Sequence, residues 1–147
     1  NIKPYPLLLR VFGAALVSSF FALIFQGTIR DFFCALIAGA TSYVLSVILD
    51  KLETNLFIRG FSCCAVATFI ALGLFSAGFG TNLNSVIIGS IMIFLPGVAI
   101  TNAIRDTLAG DMVSGMSKGI EAVIIAVSIA SGVGIAIKIW TLLGGAF

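Results

Sequence analysis

The chain has 147 residues, of which 60% are apolar and 10% charged, with a net charge of +2 and no histidine. Ordinary soluble domains are about a quarter charged, and a mean hydropathy of +1.21 lies far from that class. A soluble enzyme, a nucleic-acid reader and a disordered tail are excluded; an integral membrane protein remains, with the lipid bilayer as its first partner.

The charges are unevenly spaced. Charge-free windows run from Val11 to Ile29, Phe32 to Leu49, Gly60 to Ile104 and Ala122 to Ile137. A hydrocarbon core about 30 Å thick takes roughly 20 apolar helical residues. Three windows therefore suit one span each, and the longest suits two. Transmembrane strands would alternate polar and apolar residues over about ten positions, whereas these windows are continuously apolar. The expectation is an all-α, polytopic helix bundle of about five spans, forming one domain over residues 1–147.

The first span reads as 5–26, with Arg10 able to snorkel back to the headgroups. A loop through Arg30 and Asp31 leads to the second span, 32–49. Asp50, Lys51 and Glu53 form the next polar loop, and Asn55 stands where an N-cap would open the third span, 56–77. Turn formers from Gly78 to Asn84 split the longest window. The fourth span is 84–107, with Pro96-Gly97 in its middle; Ala109-Gly110-Asp111 makes a tight loop, and the fifth span is 112–143.

Five spans place the chain ends on opposite sides. With the N-terminus in the cytoplasm, Lys3, Arg10, Lys51, Arg59, Arg105 and Lys118 lie inside against Arg30 and Lys138 outside; that bias predicts this orientation. Trp140 then serves as an outer interfacial anchor. Gly115, Gly119, Ala122, Ala126 and Ala130 form a small-residue stripe on the fifth span, suited to close helix packing within the bundle or to an oligomer seam. The three cysteines, Cys34, Cys63 and Cys64, lie in apolar windows and read as small hydrophobes. Asn1 rather than methionine opens the chain, so it reads as a fragment of something longer.

Pro96 removes a backbone donor and clashes with the preceding turn, so the fourth span should kink or break near the bilayer midplane. Unpaired backbone at that depth has to face protein or a watered cavity. The half-helix beginning about Val98 would aim free N–H groups at an anion, an arrangement found in secondary transporters. A simple proline kink, or a re-entrant hairpin, is the plainer alternative. Beyond the break, Asn102, Arg105 and Asp106 fall at i, i+3 and i+4 on one face, with Thr101 beside them. Arg105 suits a carboxylate ligand, and Asp106 could pair with it or carry a proton. Position near the span end also allows Arg105, Asp106 and Asp111 to sit in headgroups. Glu121 lies roughly 15 Å into the fifth span, where an acid is costly unless paired, watered or protonated; Lys118 is a candidate partner. No metal site, cofactor or catalytic residue is expected, since there is no histidine, G-x-S-x-G elbow, P-loop or repeated carboxylate motif.

Residues Leu95, Pro96, Gly97, Asn102, Ala103, Ile104, Asp106, Gly110, Asp111 and Gly115 resemble the pattern L-[VI]-P-G-x-x-[LI]-x-N-A-[IV]-x-D-x-x-x-G-[DH]-x-x-x-G of the threonine/serine exporter family, ThrE, in its five-span half. The likeness is looser but collinear upstream. It implies proton-motive-force-coupled export of small amino acids such as threonine and serine, or of dicarboxylates in split members, across the bacterial inner membrane. It also implies a soluble region before the first span and a second membrane half. The substrate-binding expectation is Pro96, Gly97, Thr101, Asn102 and Arg105; Asp106 is the first candidate for proton coupling and Glu121 the second. Gly110, Asp111 and Gly115 complete the motif. A homo-oligomer or a complex with the second half is the expected assembly. A non-transporting membrane scaffold is the rival reading.

Overall fold

A computed structural model describes residues 5–145; Lys3, which enters the charge-bias argument, lies outside them. The described residues form helices and connecting turns without strands: α1 (Leu7–Ile24), α2 (Ile29–Lys51), α3 (Leu56–Ser76), α4 (Leu83–Ile91), α5 (Gly97–Leu108) and α6 (Met112–Leu142). Helices α1, α2, α3 and α6 are each long and apolar enough to cross a membrane, and the bent α4–α5 pair makes a fifth candidate. The chain is a multi-pass membrane protein.

The fourth span is broken rather than kinked. Helix α4 tightens into a 3-10 turn over Met92–Phe94, Leu95 is extended (φ −61°, ψ 138°), and α5 starts at Gly97. Proline disfavours helical backbone in the residue before it, and Leu95 takes that route out of the helix. The two halves meet at 55°. A Cβ on Gly97 would meet nothing within 4 Å, so the break depends on Pro96 and not on missing bulk at its neighbour.

The interior is made mostly of small residues, with Leu72, Val86, Ile87 and Ile129 the large apolar side chains among them. Ala14, Ala15, Ser18, Ser19 and Ala22 are the buried positions of α1. Cys34, Ala35, Ala38, Gly39, Ser42 and Ser46 face inward from α2, and Gly60, Cys63, Cys64, Ala67, Thr68 and Ala71 from α3. Large apolar residues such as Leu8, Phe12, Phe20 and Ile24 point outward. Lipid is as apolar as leucine, so close backbone approach takes over from hydrophobic burial as the basis of packing. A Cβ on Gly89 would lie 2.6 Å from the Ser18 carbonyl oxygen, and one on Gly132 would press into that of Phe61. Several buried hydroxyls fold back onto their own helices, as with Thr68 to the Cys64 carbonyl at 2.8 Å and Ser90 to that of Val86 at 2.8 Å.

The stripe expected on α6 divides. Gly115 and Ala122 are buried, and a Cβ on Gly115 would meet Thr107 of α5, 3.0 Å from its amide nitrogen. Gly119 has no such neighbour, and Ala126 and Ala130 are exposed along open apolar grooves. The α6 face against α3 is instead Ser128, Gly132 and Ala136. Helix packing thus follows a line rotated from the stripe, because α3 and α5 approach α6 from different sides.

Asp31, placed in a loop by the sequence, is fully buried in the first turn of α2. Its Oδ2 accepts from Thr28 N at 2.8 Å, Thr28 Oγ1 at 2.9 Å and Thr81 Oγ1 at 2.8 Å. Its Oδ1 accepts from Thr81 N at 2.7 Å and Asn82 N at 3.1 Å. One carboxylate therefore ties the α1–α2 turn to the α3–α4 turn and closes that end of the bundle.

Candidate functional site

The opposite end is open. A cavity of about 530 Å³ lies between the α4–α5 break, the C-terminal half of α2, the first turns of α3 and the N-terminal half of α6. Small-molecule sites typically measure about 300–1,000 Å³. Its wall at the break is Ile93, Phe94, Leu95 and Pro96, followed by Val98 and Ala99 of the first α5 turn. The first N–H groups of a helix have no partner within it, so this stretch offers donors beside a polar space.

Among the residues expected from sequence, Pro96, Asn102 and Glu121 line the cavity together. Gly97 opens α5 beside it. Thr101 is exposed, and its hydroxyl donates to the Gly97 carbonyl at 2.8 Å, bracing the turn. Arg105 is exposed and does not line the cavity. Asp106 lies on the α6 side, where its Oδ2 accepts from Ser114 Oγ at 2.7 Å and Lys118 Nζ at 2.6 Å. The expected partnerships are thus rearranged: Lys118 bridges to Asp106, leaving Glu121 without an ion pair among the described residues. Helix α5 packs on α6 through the face bearing Asp106, and that crossing puts Asp106 within reach of Lys118.

The motif glycines and Asp111 shape the α5–α6 turn. Gly110 has φ +90°, a left-handed conformation that glycine adopts without penalty. Asp111 caps α6, its Oδ1 accepting from Ser114 N at 3.0 Å. Gly115 allows the close α5 contact described above. These residues hold the hairpin that carries Asn102, Asp106 and Glu121; they do not reach the cavity.

The residues that sequence reasoning passed over come from α2 and α3. Tyr43, Ser46 and Asp50 recur at i, i+3 and i+7 along α2 and all line the cavity. That is one helical face, and its polar spacing inside an apolar span was the available signal. Arg59 joins them from the first turn of α3 and forms an ion pair with Asp50. The Tyr43 hydroxyl accepts from Arg10 Nε at 3.1 Å, which ties α1 to that face of α2. Cys34, Cys63 and Cys64 are buried and free. Among the described residues no cluster of histidine, cysteine or carboxylate side chains could hold a metal ion.

No curated protein and no solved structure matches the chain. Residues 1–140 match the family model ThrE, described as "Putative threonine/serine exporter". A broken span beside a polar cavity recurs in secondary transporters. With nearly its whole length matched, the chain belongs to the ThrE family of threonine/serine exporters.

Proposed function

We propose that this chain is the membrane half of a proton-coupled exporter of small amino acids, and that substrate is held in the cavity at the α4–α5 break. The observation that carries the reading is the convergence of Pro96, Val98, Asn102 and Glu121 on one polar space beside unwound backbone. The first turn of α5 would take the substrate carboxylate through its free N–H groups, with the Asn102 amide adding a hydrogen bond. Thr101 would brace that turn through its bond to Gly97. Glu121 reaches the cavity and could exchange a proton with substrate or water there. Asp106 would act one step removed: protonation weakens its hold on Lys118, which lines the same cavity. Arg105, exposed on α5, is assigned to the substrate path outside the cavity or to a second membrane half.

The orientation argument puts the cavity end in the cytoplasm, so the Asp31-tied end would face outward across the inner membrane. A cavity open inward and closed outward is the loading state of an exporter. A second membrane half, separate or in a second copy, would complete the path along the exposed apolar faces of α5 and α6.

Export of labelled threonine, serine and succinate from cells producing the chain in its full-length context with its partner half tests this. Pro96→Ala and Asp106→Asn are each expected to lower export of one substrate class at least tenfold at unchanged protein level. Full export by Asp106→Asn under a pH gradient would remove Asp106 from the coupling path. An assembled complex that exports none of the three would favour the scaffold reading.

A further inference from the structure

Two carboxylates and two cations converge on the cavity from three helices. Asp50 comes from α2, Arg59 from α3, and Lys118 and Glu121 from α6. Lys118 is engaged by Asp106, which lies outside the lining, whereas Asp50 and Arg59 engage each other within it. Their side chains are 48% and 35% exposed. An ion pair so open to solvent is a weak staple, and it opens at little cost.

We infer that the Asp50–Arg59 pair determines substrate specificity by exchanging its internal contact for the two charges of an α-amino acid. This assignment rests on the cavity being the substrate site. The Arg59 guanidinium can take the same carboxylate that the first α5 turn faces, through two parallel hydrogen bonds that leave a lone pair on each oxygen for the α5 N–H groups, and Asp50 then receives the ammonium group that replaces its lost partner. A zwitterion therefore leaves neither charge unpaired. A dicarboxylate would satisfy Arg59 but set a second anion against Asp50 and Glu121. An amine without a carboxylate would strand Arg59. Selection then works by repulsion as much as by attraction, and it favours zwitterions over the dicarboxylates that the family resemblance leaves open. Ser46, one turn from Asp50 on the same α2 face, places a hydroxyl where a small polar side chain would lie.

Counterflow of labelled threonine into proteoliposomes containing the full-length exporter and its partner half provides the test. Competitors are unlabelled threonine, threoninol (the cation alone), 2,3-dihydroxybutanoate (the anion alone) and succinate. Wild type is expected to respond to threonine only. Asp50→Asn should weaken threonine competition at least tenfold and admit the two anions, and Arg59→Gln should weaken it similarly and admit threoninol. The double variant D50N/R59Q leaves neither charge stranded and guards against misfolding; it should lose the distinction among all four. A purely structural pair would lower transport without changing the order of competitors, and that result in either single variant or in the double variant overturns the assignment. Wild type that transports no threonine overturns the proposed function itself, and this assignment with it.

Discussion

The two ends of helix α2 carry one acid each, Asp31 and Asp50, about 28 Å apart along the helix axis at 1.5 Å per residue, and their surroundings are opposite. Asp31 is fully buried and accepts five hydrogen bonds, three of them from backbone N–H groups on two turns. Asp50 is half-exposed and its one side-chain partner among the described residues is the partly exposed Arg59. A carboxylate surrounded by fixed backbone donors has no reason to exchange them, since water or ligand could only replace what is already made. A carboxylate facing one solvated cation can exchange it at little cost. The closed end is therefore built for stability and the open end is left able to exchange partners, although both use the same residue type in the same helix.

Asp31→Ala should break this contrast most severely. It strands three backbone N–H groups, each costing roughly 1–3 kcal/mol when buried, so thermal unfolding in detergent should move to markedly lower temperature. Cys34, one turn along α2 and now buried, should become reactive to maleimide. An unchanged melting temperature would mean that the two turns are held by something else.

Next in size is a pair of glycine substitutions on α6. Gly132→Ala drives a Cβ against the Phe61 carbonyl and should cost about 1–3 kcal/mol as overpacking. Gly119→Ala meets nothing and should be neutral or stabilise by up to about 1 kcal/mol through helix propensity. Equal effects in thermal unfolding would contradict the packing line described for α6.

Glu121→Gln should separate stability from function at the open end. The residue is exposed and has no ion pair among the described residues, so stability should change by no more than about 0.5 kcal/mol, while export should fall. Loss of fold would place Glu121 with Asp31 instead.

The smallest effect belongs to Ser18→Ala. The Ser18 Oγ is buried without a partner among the described residues at the crossing of α1 with α2 and α4. Removing an unsatisfied hydroxyl should leave stability unchanged or raise it slightly, and a clear loss in thermal unfolding would reveal a hydrogen bond at that crossing.

What could be read in advance was whatever local chemistry settles. The order and approximate extent of the apolar helices follow from where charges are absent, because a charge in hydrocarbon is costly wherever the rest of the chain goes. The break at Pro96, the Asn55 cap that accepts from Phe57 N at 3.3 Å, and the left-handed turn at Gly110 are likewise properties of a few adjacent residues. The sequence by itself determined these. Only the tertiary structure decided that Asp31, beside an arginine in what looks like a solvated loop, would meet Thr81 and Asn82 fifty residues away. It also decided that Lys118 would choose Asp106 over Glu121, and that α2 would turn Tyr43, Ser46 and Asp50 toward the break. Those outcomes depend on helix rotation and crossing, which small residues permit but do not specify in any one segment; they are set by all the backbone contacts together.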